Sequence, residues 1–311
     1  MSIQAKIITD SLNSYNNSRL TTFIVKFPRI ILSEVNTHKM IGKCSASSRA
    51  RPFKLAVREV KENPFIPLEF QENHKGMQGT KNLIGWRKWT AIKLWLLARN
   101  LAVISATLLN KINVTKQLSN RVIEPFMWHT ALLTATEWEN FFALRAHPAA
   151  EIHLQKLAYL MLEEYNKSIP EIKNPIGLNY PSGEFELEDF ININPDLEWH
   201  LPFSDKMPEN ISKTERIKIS VARAARLSYA SFDGKTDAQK DFAIYDKLLK
   251  DNPKHCSPAE SAAFPTRDDK FIGNLKGWWQ LRKIIPNENA KDSRVIKRKA
   301  EWGNVGSFIT L

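Results

Sequence analysis

Phe23-Ile24-Val25-Lys26-Phe27-Pro28-Arg29-Ile30-Ile31-Leu32, followed by Thr37-His38-Lys39 and, after seven residues, by Ser47-Ser48-Arg49, is the stretch on which the reading of this chain turns. The β-branched and aromatic run predicts a strand over residues 21–32, with Pro28 marking a bulge or an edge position. The polar segment behind it gathers Lys39, Lys43, Arg49, two adjacent hydroxyls and Gly42. Such a loop suits an anionic ligand, because backbone and hydroxyl donors converge where glycine relaxes the backbone. A solvated basic turn after an edge strand is the equally open alternative.

Outward from this stretch the periodicity is helical. It predicts a helix from about Trp86 to Asn110, with Trp89, Ile92, Leu96 and Val103 on its apolar face. A second runs from about Val114 to Ala146, interrupted near Pro125 and stopped by Pro148, and a third covers Ala150 to Asn166 through Ile152, Leu157, Leu160 and Met161. From Ser168 to Ser212 prolines, acids and asparagines erase the pattern, predicting a long connection with short strands. Helical character resumes over 219–229, and a helix from Thr236 to Lys250 follows a turn at Asp233-Gly234.

The 311 residues make one large domain or two moderate ones, with 43% hydrophobic and 25% charged residues, ordinary for a globular chain. The net charge of +12 favours an anionic partner, nucleotide or nucleic acid. Basic residues cluster at Lys291, Arg294, Lys297, Arg298 and Lys299, and Trp278-Trp279 lies between Lys276 and Arg282-Lys283. That interleaving tracks phosphates and stacks bases, or else packs in a core. The run Leu94 to Leu109 is broken by Arg99, Asn100 and Ser105, short of an uninterrupted membrane span, and no secretory pattern opens the chain. The expectation is a cytoplasmic protein without a membrane partner. Cys44 and Cys256 have no metal-type spacing, and His129, His147 and His153 lack the i, i+4 placement of a helical zinc site, so no metal is expected.

The Thr37-His38-Lys39 block with Ser47 and Arg49 resembles the signature of the flavin-dependent thymidylate synthases: Arg-His-Arg, seven residues, Ser, and an Arg two residues on. A second block, Ser119-Asn120-Arg121 to Pro125 and Thr134 to Asn140-Phe141-Phe142-Ala143-Leu144-Arg145, is similar to the substrate-arginine helix of that family. Ala222 to Tyr229 and His255-Cys256-Ser257-Pro258-Ala259-Glu260-Ser261 resemble the segment that precedes the signature in typical members; here it follows. The chain therefore resembles a permuted, viral-type member, one domain over 1–311. Residues 1–167 would carry the signature and substrate-arginine helices, 168–218 a connection, and 219–311 the displaced segment.

The resemblance implies an α/β (α+β) fold with a largely antiparallel central sheet flanked by long helices. It implies reductive methylation of dUMP at C5 to dTMP, with methylenetetrahydrofolate as carbon donor, FAD carrying hydride and NADPH reducing the flavin. It also implies a site completed between subunits of a homotetramer. Arg145 would be the cation beside the base, above an aromatic floor of Trp138 and Phe141; the alternative is a guanidinium facing solvent or Glu137. Arg49 and Arg121 would clamp phosphate and substrate with Ser47 and Ser48. Ser47, the other candidate for a catalytic role, is assigned to positioning, because no His and Asp accompany it locally.

Glu34 would read a base edge or make a structural salt bridge. Thr37, His38, Lys39 and Asn140 would face the flavin, and no Gly-x-Gly-x-x-Gly fingerprint supports a Rossmann-type site. Thr37 and Lys39 stand where arginines are usual, Cys44 for Asn, Thr134 and Thr136 for Asn and Arg, and Ser261 for His. These departures open a variant in which the nucleotide site serves another C5 modification such as hydroxymethylation, or has lost catalysis. A basic nucleic-acid-binding protein is the reading from another class. Arg49, Arg121 and Arg145 are expected to converge on one pyrimidine monophosphate.

Overall fold

The computed structural model describes residues 1–75, 79, 81–179, 186–204, 207–228, 237–250 and 254–285. β1 (Gln4–Asn13) and β2 (Arg19–Pro28) form an antiparallel hairpin whose turn places Asn17 at φ 57°, a left-handed conformation that asparagine tolerates. A 3-10 turn at Arg29–Ile31 leads to α1 (Leu32–Asn36), β3 (Gly42–Ser45), α2 (Phe53–Glu62) and α3 (Gly85–Lys111). Next come α4 (Lys116–Val122), a 3-10 turn at Glu124–Phe126, β4 (Trp128–Ala135), α5 (Glu139–Arg145), α6 (Ile152–Lys167) and β5 (Glu171–Lys173). The last third carries α7 (Leu187–Ile193), α8 (Lys213–Ser228), α9 (Ala238–Lys250), β6 (Ala263–Pro265), β7 (Phe271–Ile272), β8 (Leu275–Lys276) and β9 (Trp278–Gln280).

The central sheet has the order β3-β4-β2-β1-β5 and is antiparallel except for the β1/β5 pair. The fold is thus mixed α/β, with a largely antiparallel sheet flanked by helices, as the sequence led one to expect. Phe23, Val25 and Phe27 of β2 and Ala131, Leu133 and Ala135 of β4 pack beneath Leu154, Leu157, Ala158 and Met161 of α6. Burying each large side chain there contributes about 1.5–3 kcal/mol. On the other face, Leu132 and Cys44 meet Ala224 and Leu227 of α8, with Ile24 at their edge. Asp10 pins the hairpin to the end of α6: it accepts from Arg19 Nη2 at 2.6 Å and Ser168 Oγ at 2.6 Å, and the Arg19 guanidinium lies 3.7 Å from the Tyr165 ring centroid.

Several expectations are corrected. The strand foreseen over 21–32 spans Arg19–Pro28 and is interior; Pro28 is its last residue, opposite Trp128, where a missing N–H costs no ladder bond. The helix foreseen over 114–146 is α4, β4 and α5. Because β4 is covered on both faces from Ala131 to Ala135, burial there is continuous and lacks the alternation of a half-exposed strand. The connection over 168–212 contains β5 but also α7, started by a capping box of Glu186 and Asp189.

The long helix near 86–110 and the helix near 150–166 appear as α3 and α6, while helical structure over 219–229 begins earlier, at Lys213. The turn at Asp233-Gly234, Tyr229, Thr236 and the basic residues 291–299 lie outside the described residues. α3 departs from expectation in another way: it is long and apolar enough, by length and composition, to cross a membrane, and Trp89 of its supposed buried face points outward.

Candidate active site

The signature segment emerges where β2 ends. α1 closes at Thr37, whose backbone N–H and Oγ1 both donate to Glu34 O, the hydroxyl at 2.6 Å. Glu34 in turn accepts from Ser33 Oγ at 2.7 Å, so its carboxylate is held within its own helix. His38 stands edge-on to Phe141 with ring centroids 5.0 Å apart. Its Nε2 accepts from Arg145 Nε at 2.8 Å, and Arg145 Nη2 lies 3.4 Å from Thr37 Oγ1. Arg145 occupies the last turn of α5, where exposed carbonyls favour a cation. Phe141, one turn earlier, is buried and packs edge-on against His38 and Trp138.

Charge in this cluster is tuned by burial. His38 is held below its ordinary pKa, first by burial and then by Arg145 and Lys43, so the neutral ring accepts from Arg145. Lys43 Nζ donates to His38 O at 2.5 Å and Ile41 O at 2.9 Å. Burial and the neighbouring Lys39 push Lys43 down to about 8, against the pull of Glu260. Lys39 and Asn140 are exposed and have no protein partner among the described residues.

The second cluster surrounds Ser48. Its buried hydroxyl donates to Glu124 Oε1, and its carbonyl accepts from Asn120 Nδ2 at 2.8 Å, which also reaches Arg51 O at 2.9 Å. Arg29 Nη2 pairs with Glu124 Oε1 at 3.1 Å, and Arg29 Nη1 meets His129 Nδ1 at 2.9 Å. Burial, Arg29 and Arg51 push His129 down to about 3, so its neutral ring serves as acceptor. Arg29, Arg121, Glu124, Ser33 and Asn36 line an open pocket of about 470 Å³. That volume lies within the range of small-molecule sites, about 300–1,000 Å³. Arg121 is exposed; Ser47 Oγ and the exposed Arg49 guanidinium make no protein hydrogen bond among the described residues.

Within one subunit, then, the foreseen arginines fall into adjoining clusters rather than one cavity. Arg121 lines the pocket, Arg145 is held on His38, and Arg49 joins neither wall. The dividing element is α1: Asn36 lines the pocket, and the next residue, Thr37, touches Arg145. Arg29 and Glu124 were missed as site residues by the sequence reading. Each lies within a quoted stretch, but an Arg after a strand and a Glu before a Pro carry no local signal of pairing.

Other positions are committed to the fold. Thr134 Oγ1 bonds Thr22 Oγ1 at 2.9 Å, and Thr22 continues to His200 Nε2 at 2.8 Å. Thr136 Oγ1 accepts from Lys276 N at 3.0 Å, and Ser261 Oγ donates to Pro258 O. Trp278 is buried with Leu20, Ala263 and Leu275, and the half-buried Trp279 stacks on Phe264, so both pack against the core. His129 and His153 are likewise buried, and no metal-type cluster occurs among the described residues.

The sequence matches no family model and no curated protein. Among solved structures, the UMP/dUMP methylase PolB from Streptomyces cacaoi bound with 5-Br UMP is similar over 54% of this chain and 90% of its own, at TM-score 0.46 and 15% identity. The same enzyme bound with 5-Br dUMP is similar over 53% of this chain and 91% of its own, at TM-score 0.44 and 12% identity. Likeness of that degree is a partial overlap of shape and assigns no activity.

Proposed function

We infer that the chain modifies C5 of a pyrimidine deoxynucleotide, in its finer form as an FAD-dependent thymidylate synthase acting on dUMP with methylenetetrahydrofolate and NADPH. The observation that carries this reading is the contact of Arg145 with His38, which joins the two sequence blocks that resemble that family. The reaction needs C6 of uracil to accept hydride while negative charge spreads over the pyrimidine carbonyls. A preorganised cation at that oxygen lowers the barrier, and removing one such donor costs roughly 10²–10³ in rate. With Nε engaged by His38, Arg145 presents its outer nitrogens to such an oxygen, and His38 fixes the plane in which they lie.

The pocket beside α1 would take a nucleoside monophosphate through the exposed guanidinium of Arg121, with Asn36 as a polar donor, beside the Arg29–Glu124 ion pair. For the flavin, Lys39 and Asn140 are the exposed donors that would hold it, Lys39 by charge against a phosphate. Bound flavin would supply hydride. Thr37 and His38 would act through Arg145, since their polar atoms already engage it. Assembly into a homotetramer, with Arg49 and Ser47 completing a neighbouring subunit's site, belongs to the same proposal, as does the permuted order of a single domain over 1–311.

Tritium release from [5-³H]dUMP with FAD, NADPH and methylenetetrahydrofolate tests the reading. Release by the wild-type protein and its loss in Arg145→Ala, with an unchanged circular dichroism spectrum, is the expected result. A protein that binds dUMP but neither turns yellow with FAD nor releases tritium would limit the reading to nucleotide binding.

A further inference from the structure

We propose that the exposed face of α3 is an interface with a second copy of this chain. Leu94, Leu97, Leu101, Ile104 and Leu108 recur at alternating steps of three and four residues, the spacing of a coiled-coil seam. With Trp86, Trp89 and Ile112 they are 52–76% exposed. These side chains present on the order of 600 Å² of apolar surface, at the upper bound of the largest patch on a typical monomer. It is most of the roughly 800 Å² that one partner contributes to a stable interface.

The rest of the helix is already committed. Trp95 Nε1 donates to Phe65 O at 2.7 Å, Arg99 Nη1 donates to Val60 O at 3.0 Å and Lys61 O at 2.8 Å, and Val103 and Ala106 are buried. These contacts lay α3 along α2 with a bonded arginine at mid-length, a posture incompatible with crossing a bilayer. Ala98, Asn100, Ser105 and Thr107 border the middle of this seam and are small enough for another helix to approach, while Arg87, Lys88, Lys93 and Lys111 lie towards its ends.

Nothing in this inference rests on the nucleotide reading.

Sedimentation equilibrium of the full chain and of Leu101→Glu tests it. Wild type is expected at a dimer mass or a multiple of it, and Leu101→Glu at half the wild-type mass with unchanged far-ultraviolet circular dichroism, since Leu101 is exposed in the single chain. A monomeric wild type, or an unchanged mass in Leu101→Glu, overturns the proposal. Co-sedimentation of a monomeric wild type with phosphatidylcholine–phosphatidylserine vesicles, abolished by Leu101→Glu, assigns the face to a lipid surface and overturns it as well.

Discussion

Arg145 Nε donates to His38 Nε2 at 2.8 Å although 107 residues separate them, and the bond exists only while the imidazole is neutral. Burial, Arg145 and Lys43 all hold the His38 pKa below its ordinary value of 6.5. As pH falls through that lowered value, a proton on Nε2 displaces Arg145 from its partner. Activity should therefore decline on the acid side at a pH below 6.5. His38→Gln, whose amide oxygen still accepts, is expected to keep most activity and lose this acid limb, while His38→Leu should lower kcat about tenfold at every pH. A kcat/KM profile with the same acid limb in wild type and His38→Gln would remove His38 from this role.

Arg121 lines the pocket with an exposed head, so its removal touches binding without touching the fold. Charge-assisted contacts to phosphate are worth about 1.5–3 kcal/mol. Arg121→Ala should weaken dUMP binding roughly ten- to a hundredfold by titration calorimetry, with an unchanged melting temperature. A large fall in melting temperature would show the side chain to be structural.

Glu124 is the shared acceptor of Ser48 and Arg29, both largely buried. Glu124→Gln retains an oxygen for Ser48 but strips Arg29 of its counter-ion, at a cost of about 1–3 kcal/mol. Urea unfolding should record that loss. Arg29→Met combined with Glu124→Gln should cost less than the sum of the two single changes, because the pair is coupled.

Burial drives His129 and His200 down to about 3, and His200 is held between Ser11 Oγ at 2.9 Å and Thr22 Oγ1 at 2.8 Å. Both pKa values are depressed relative to about 6.5 in the unfolded chain, so below that pH the unfolded state binds protons that the folded state does not. Stability should fall as pH drops from about 6.5 towards 3, by on the order of a few kcal/mol. Melting temperatures measured from pH 7 to 4 should decline, and less steeply in His129→Phe if its packing is retained.

Much of the fold was legible before any coordinates. Alternating Phe23, Val25 and Phe27 announced the central strand, and the 3.6-residue recurrence of Ile152, Leu157, Leu160 and Met161 announced α6. β4 was not legible: Ala131 to Ala135 is buried on both faces by α6 and α8, so its apolar residues do not alternate with exposed ones and give no period-2 signal. In the site, His38 and Arg145 stood out by motif, whereas Glu124 became visible only as the acceptor of Ser48, and Arg29 only as the partner of Glu124.

By itself the sequence determined the central strand, the long helices α3 and α6 and a surplus of cations fit for an anionic ligand, because these follow from local periodicity and charge. Which side chains meet was decided only by the tertiary structure. α1, a helix of five residues, turns Asn36 toward the Arg121 pocket and Thr37 toward Arg145, and α2 takes one face of α3 while leaving the leucine seam in solvent. Packing across the sheet sets those outcomes, and contacts between distant segments leave no trace in local spacing.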